Sequence, residues 1–156
     1  TGGRGTATIN GAAAQHFIFY PSTGGLQLLG TDITNVSTGV AFSQTGTPFT
    51  NGSISGTYGL NYSGVNGAGA VDAVAQFTAT GTGGLSGALD LNNAGGLAGS
   101  LALSGTYAVS PNGRGTGTLN TAAGPVNIIF YMASSSRVVF IEPDSFQVTA
   151  GTFLKQ

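Results

Sequence analysis

Apolar side chains along this chain return at every second residue, in short runs broken by Gly, Asn, Ser or Pro, and that period predicts strands. The alternation is clearest over 100–109, where Leu101, Leu103, Gly105, Tyr107 and Val109 share one face. Over 114–120, threonines mark one face and Gly115, Gly117 and Leu119 the other. Asn112-Gly113 between these runs predicts a type I′ hairpin, and Pro111 helps to end the preceding strand. Carried along the chain, the pattern predicts strands near 53–62, 71–80, 85–92, 98–109, 114–120, 126–134, 137–142 and 146–154. Earlier ones are predicted near 4–10, 16–22, 25–31 and 36–43. Residues 130–131 and 138–141 alternate less clearly, which predicts either burial on both faces or a contact outside the module.

The predicted strands come in two copies. Gly3-Arg4-Gly5-Thr6-Ala7-Thr8-Ile9-Asn10 returns as Gly113-Arg114-Gly115-Thr116-Gly117-Thr118-Leu119-Asn120, with six of eight positions identical. Phe17-Ile18-Phe19-Tyr20 corresponds to Ile128-Ile129-Phe130-Tyr131, and 36–44 to 148–156. The offset grows from 110 at Arg4 to 111 at Phe19 and 112 at Gln44. Residues 1–44 therefore read as the C-terminal half of a preceding β-repeat, 45–47 as a linker and 48–156 as a complete repeat. A weaker echo, Ser55-Gly56-Thr57-Tyr58 against Ser104-Gly105-Thr106-Tyr107, points to an older duplication within that repeat.

Short strands joined by tight turns predict an all-β fold: an antiparallel up-and-down β-barrel or sandwich of about eight strands, plus an N-terminal half-repeat of about four. Glycines inside the strands favour the barrel, because closure demands bends. Four strands alone have an exposed apolar face and two free edges. They are expected to join the following eight in one larger sheet, to lie against adjacent repeats, or to pair with strands of a neighbouring copy.

Composition narrows the function classes. Only nine side chains are formally charged, for a net charge of −1, and nucleic-acid binding needs clustered cations that this chain lacks. Glycine is 28 of 156 residues, yet the recurring apolar runs argue for turn-rich β structure over disorder. There is no cysteine, which excludes disulfides and thiolate metal sites and is compatible with an extracellular home. No apolar stretch approaches the ~20 residues of a membrane helix. The chain opens on Thr1, as expected of one processed or excised from something longer.

Candidate chemistry is sparse. His16 is the only histidine and the sequence offers it no partner, so a Ser-His-acid triad is not expected. Glu142 and Asp144 flank Pro143, where the first copy keeps only Asp32. A glycosidase pair needs a defined separation across a cleft, and a solvated turn is the expected reading. Asp90-Leu91-Asn92-Asn93-Ala94-Gly95 matches a calcium loop in part but lacks its bidentate acid. Arg4 and Arg114 hold equivalent hairpin positions, which predicts hydrogen bonds to rim carbonyls. Asn35, Asn51 and Asn61 open glycosylation sequons. Phe17, Phe19, Tyr58, Tyr107, Phe130, Tyr131 and Phe140 are expected to form the core, with a small ligand cavity as the alternative. No residue is assigned a catalytic, cofactor-binding or metal-binding role, and the chain is not expected to be an enzyme.

The set Ser-Gly-Thr-Tyr, Asn-Gly-Arg-Gly-Thr-Gly-Thr-Leu, Phe-Tyr-Met-Ala-Ser-Ser-Ser-Arg-Val-Val-Phe-Ile-Glu-Pro-Asp and the final Ala-Gly-Thr-Phe-Leu-Lys-Gln resembles modules of large secreted tandem-repeat surface proteins of acidobacterial type. It covers 53–156 fully and 3–44 as a partial copy, which departs at 21–25 and lacks the arginine found at 137. The resemblance implies a location and a tandem architecture and carries no catalytic residue. The function expected is that of a structural extracellular β-module of a surface fibre, filament or adhesin-like stalk, assembled through strand pairing. The alternative is a lipocalin- or avidin-like barrel that binds a small ligand or a glycan. Expected partners are copies of itself or adjacent repeats, with glycans as a further class and with neither nucleic acid nor a transmembrane segment.

Overall fold

Every regular element is a strand except one 3-10 turn, Asn51–Ser53, in a computed structural model that describes residues 3–122 and 124–156. The chain divides into two units, Thr1–Ser43 and Gln44–Gln156. The first holds β1 (Gly5–Ile9), β2 (Gln15–Ser22), β3 (Gly25–Gly30) and β4 (Thr38–Ala41) in a sheet of order β1-β2-β3-β4. The second holds β5 (Ser55–Asn66), β6 (Gly69–Thr80), β7 (Gly84–Asn93), β8 (Gly96–Val109), β9 (Arg114–Thr121), β10 (Gly124–Ser134), β11 (Arg137–Ile141) and β12 (Gln147–Lys155). These eight close into an antiparallel barrel, and the sandwich alternative falls because β12 pairs with β5, placing Phe153 opposite Leu60 and Gly151 opposite Tyr62. The first four strands do not join that sheet. No helix among the described residues is long and apolar enough to cross a membrane.

Alternation places the core. Leu103 and Tyr107 point inward with Tyr58, Leu60, Phe77, Leu119, Phe130, Val138, Phe140 and Phe153. Four ring contacts run through the interior: Tyr58 stacks on Phe77 at 5.5 Å, Phe77 meets Phe153 at 5.2 Å, Phe153 meets Phe140 at 4.9 Å and Phe140 meets Tyr62 at 6.5 Å. Tyr131 departs from the expected core. Strands β10 and β11 alternate after all, so Phe130, Val138 and Phe140 face in, while Tyr131 and Ile141 face out at 50% and 55% exposure.

The turn at 110–114 differs from the type I′ expectation. Ser110 O accepts from Gly113 N and Ser110 N donates to Arg114 O, both at 2.8 Å, and of the turn residues only Gly113 has a positive φ, 83°. Pro111 presets the first central position, which makes this the three-residue type of hairpin loop closed by a left-handed glycine.

One end of the barrel is closed by the segment entering β5. Gln44 Nε2 donates to Asn112 O at 3.0 Å and Met132 O at 2.8 Å, and Thr45 N to Ala133 O at 2.8 Å. Phe49 and Ile54 are buried there, and the Tyr107 hydroxyl donates to Ile54 O at 2.6 Å while accepting from Gly81 N at 3.0 Å.

Strand β1 to β4 pairing repeats that of β9 to β12. Gly5 faces Phe19 as Gly115 faces Phe130, Leu28 faces Gly39 as Phe140 faces Gly151, and Leu26 faces Ala41 as Val138 faces Phe153. Rings lie across the glycines: a Cβ at Gly115 would stand 2.1 Å from Phe130 Cζ, and one at Gly5 2.3 Å from Phe19 Cζ. Gly115→Ala is therefore expected to lower stability by about 1–3 kcal/mol through overpacking. Gly59→Ala, whose Cβ would meet nothing nearer than 3.8 Å, should stay within about 0.5 kcal/mol. Urea unfolding of the two variants checks the contrast.

Candidate functional site

The inward positions of β11 are Val138 and Phe140, and the next in step is Glu142, just past the strand end. Period two therefore carries a carboxyl into the barrel. It is 6% exposed, which corrects the expectation of a solvated turn. Glu142 N donates to Thr149 O at 3.1 Å. Its Oε2 accepts from Thr149 Oγ1 at 2.8 Å and from Gln147 Nε2, whereas Oε1 is buried with no donor among the described residues. Burial raises the Glu142 pKa above the ordinary carboxyl range, and the charge and hydrogen bond of Asp144 add to that rise, against the Gln147 and Thr149 bonds. Tyr62, inward on β5, is raised by burial and then by the Glu142 charge.

Asp144 is held differently. Asn127 donates to it twice, from Nδ2 to Oδ1 and from the backbone N to Oδ2, each at 3.0 Å. Thr118 Oγ1 donates to Asn127 Oδ1 at 2.9 Å, which fixes the amide with its NH₂ toward the acid. These bonds lower the Asp144 pKa. The two acids are thus shifted in opposite directions by their surroundings, Glu142 up by burial and Asp144 down by its hydrogen bonds.

Glu142 sits at the open mouth of the barrel, while Asp144 is held against the exposed Asn127. A cavity of about 380 Å³ lies between the hairpin ends of β5–β6, β7–β8, β9–β10 and β11–β12. Tyr62, Val71, Leu89, Leu91 and Val126 give it apolar walls, and Glu142, Gln147 and the amides Asn66 and Asn93 its polar groups. Asn66 Nδ2 donates to Asn93 Oδ1 at 3.1 Å. The cavity size is that of small-molecule sites in general.

The other candidates separate. His16 does have a partner: its backbone N donates to Asp32 Oδ2 at 2.9 Å and its Nδ1 lies 2.8 Å from Oδ1, on a half-exposed sheet surface. The two bonds lower the Asp32 pKa, the backbone one most. This is the Asn127–Asp144 clamp again at the equivalent residues, and the short hairpins create it without any neighbour in sequence. Gly30 stands in the place of Glu142, with Gly30 N donating to Ser37 O at 2.8 Å. Asp90 lies within β7, where its Oδ1 accepts from Ser100 N at 2.7 Å beside a register shift between Leu89 and Leu91. It serves a bulge, and no group of three metal-ligating side chains occurs among the described residues. Arg4 and Arg114 are exposed, just before β1 and at the start of β9. Asn51 Oδ1 accepts from Val109 N at 2.8 Å and Asn61 Oδ1 from Thr152 Oγ1 at 2.7 Å, so both sequon amides are engaged in the fold.

Sequence reasoning missed the buried mouth acid. Its signal was the inward period of 138, 140 and 142 running past the strand end. No protein-family model, curated protein or solved structure matches the chain.

The pKa directions fix a sign. Because the Glu142 pKa is raised on folding, its contribution is fully present below the unfolded pKa and lost as pH rises through the folded one. The Asp144 contribution runs the other way and is lost as pH falls through its lowered pKa. Glu142→Gln is therefore expected to melt above the wild type at neutral pH, with the difference closing toward pH ~4. Thermal unfolding across that range tests it, and a constant difference would show that burial does not perturb this carboxyl.

Proposed function

We propose that the protein is a structural β-module of an extracellular surface fibre, filament or stalk, assembled through strand pairing. One observation carries the reading. Strands β1–β4 repeat the registers of β9–β12, but β9 and β12 pair with β8 and β5, whereas β1 and β4 have no such partners among the described residues. Phe17, Phe19, Leu26 and Leu28 on the inward-equivalent face are only partly buried. The second unit supplies the rule for completion, since its barrel joins two four-stranded halves at β12–β5 and β8–β9. Four more strands, from another copy or an adjacent repeat, close the first sheet by the same two seams.

Outward apolar strips support the same reading. Ile129, Tyr131, Val139 and Ile141 form one on β10–β11, and the equivalent Tyr20 and Leu29 are about half exposed. Low charge and an outer surface rich in Thr and Ser suit a packed surface polymer. The mouth cavity favours a second reading, in which the barrel also holds a small ligand.

Light scattering of the chain is expected to give a mass that grows with concentration beyond one copy. Thr6→Lys with Val40→Lys, which place charges on both free edges, should return it to 15.3 kDa with the melting of the barrel unchanged. A wild-type chain that stays a stable monomer at high concentration would sink the proposal.

A further inference from the structure

We propose that the barrel mouth binds a small organic cation, a protonated amine carried on a short apolar body; this rests on the second reading, of a ligand-holding barrel. Three independent observations converge on it. The first is the cavity, whose walls of Tyr62, Val71, Leu89, Leu91 and Val126 suit an alkyl or small ring system. The second is the acid that lines it. Glu142 fills Oε2 with two donors and leaves Oε1 buried without one, so the described residues supply no cation or N–H for that oxygen.

The third is the distribution of charge over the barrel unit. Asp72 and Asp90 lie near the mouth ends of β6 and β7, and Glu142 and Asp144 lie in the mouth loop, so all four acids of the unit sit toward this end. Arg114 opens β9, Arg137 opens β11 and Lys155 closes β12, which puts all three of its cations at the opposite end. Acids grouped around a low-dielectric opening focus a negative potential on it, attract cations and repel carboxylates. An ammonium ion supplies Glu142 Oε1 with the donor it lacks. Affinity therefore increases as Glu142 loses its proton, with Asp144 beside it and Tyr62 from β5 the other titratable groups near it among the described residues.

The test uses the full chain at low ionic strength with three probes of one length: n-hexylammonium, n-hexanol and n-hexanoate, followed by titration calorimetry and by chemical shifts of the mouth residues. Hexylammonium should bind at least about tenfold tighter than hexanol, and hexanoate weakest. Glu142→Gln should bring hexylammonium down to the hexanol level and leave hexanol unchanged. Leu91→Phe, which narrows the cavity from β7 on the far side of the barrel from β11, should weaken both, with circular dichroism confirming that each variant stays folded. Equal binding of hexanol and hexylammonium overturns the cation inference and leaves the ligand-barrel reading standing. Binding of neither probe through the millimolar range overturns both.

Discussion

Room for aromatic rings inside a closed sheet is the constraint on which the structure depends. An eight-stranded barrel has an interior that side chains just fill, and this one must seat Phe77, Phe130, Phe140 and Phe153 together with Tyr58, Tyr62 and Tyr107. It does so by setting glycine across from a ring. Gly115 lies opposite Phe130 and Gly151 opposite Phe140, each where a Cβ would stand within 2.6 Å of the ring. A glycine inside a strand costs roughly 0.5–1 kcal/mol, whereas burying a large apolar side chain contributes about 1.5–3 kcal/mol. Packing wins, and a glycine content that would suit a flexible chain serves a rigid one.

The same closure makes the two ends of the barrel unlike. At one end the chain entering β5 seals the interior, and the Tyr107 hydroxyl ties the sealing segment to the wall at Ile54 and Gly81. The aromatic ladder stops at Tyr62, and beyond it Val71, Leu91, Val126 and the exposed Phe146 surround a cavity. Glu142 is set at that transition, where desolvation disfavours its charge and Asp144 disfavours it further. Asp144 stays ionised more easily because Asn127 gives it two hydrogen bonds. Two neighbouring acids are thus pushed in opposite directions, one by burial and the other by hydrogen bonds.

Much of the fold was legible in the sequence, because strand period and copy alignment are local properties. The face shared by Leu101, Leu103, Gly105, Tyr107 and Val109 follows from alternation alone, as do the eight strands of the barrel and the four of the separate sheet. The less legible features depend on the third dimension. Nothing near His16 in sequence names Asp32 as its partner, since two hairpins have to form first. Tyr131 was placed in the core by its type, and its phase against Phe130 sends it out. The type I′ expectation at Asn112-Gly113 gave way because Pro111 fixes φ near −65° and pulls the turn one residue longer. Glu142 was read as solvated because acids usually are, while its phase with Val138 and Phe140 pointed inward all along.

Two copies of one half-module in a single chain also separate scaffold from addition. The carboxylate clamp appears in both, as His16–Asp32 and Asn127–Asp144, with the same pattern of one backbone and one side-chain contact. The bridge from Gly30 N to Ser37 O matches the one from Glu142 N to Thr149 O. Both features hold the strand-end loop in place wherever the half-module occurs, so they belong to the architecture. The Glu142 side chain has no counterpart: Gly30 stands in its place, and a Cβ there would lie 2.2 Å from Ser37 Oγ. The backbone bridge forms in the first sheet with no side chain at this point, so it does not require an acid, and burying one in the barrel brings a desolvation cost that the bridge does not demand. A group that folding does not need, placed where folding penalises it and where a cavity opens beside it, is better explained by what enters the mouth than by what holds the barrel together.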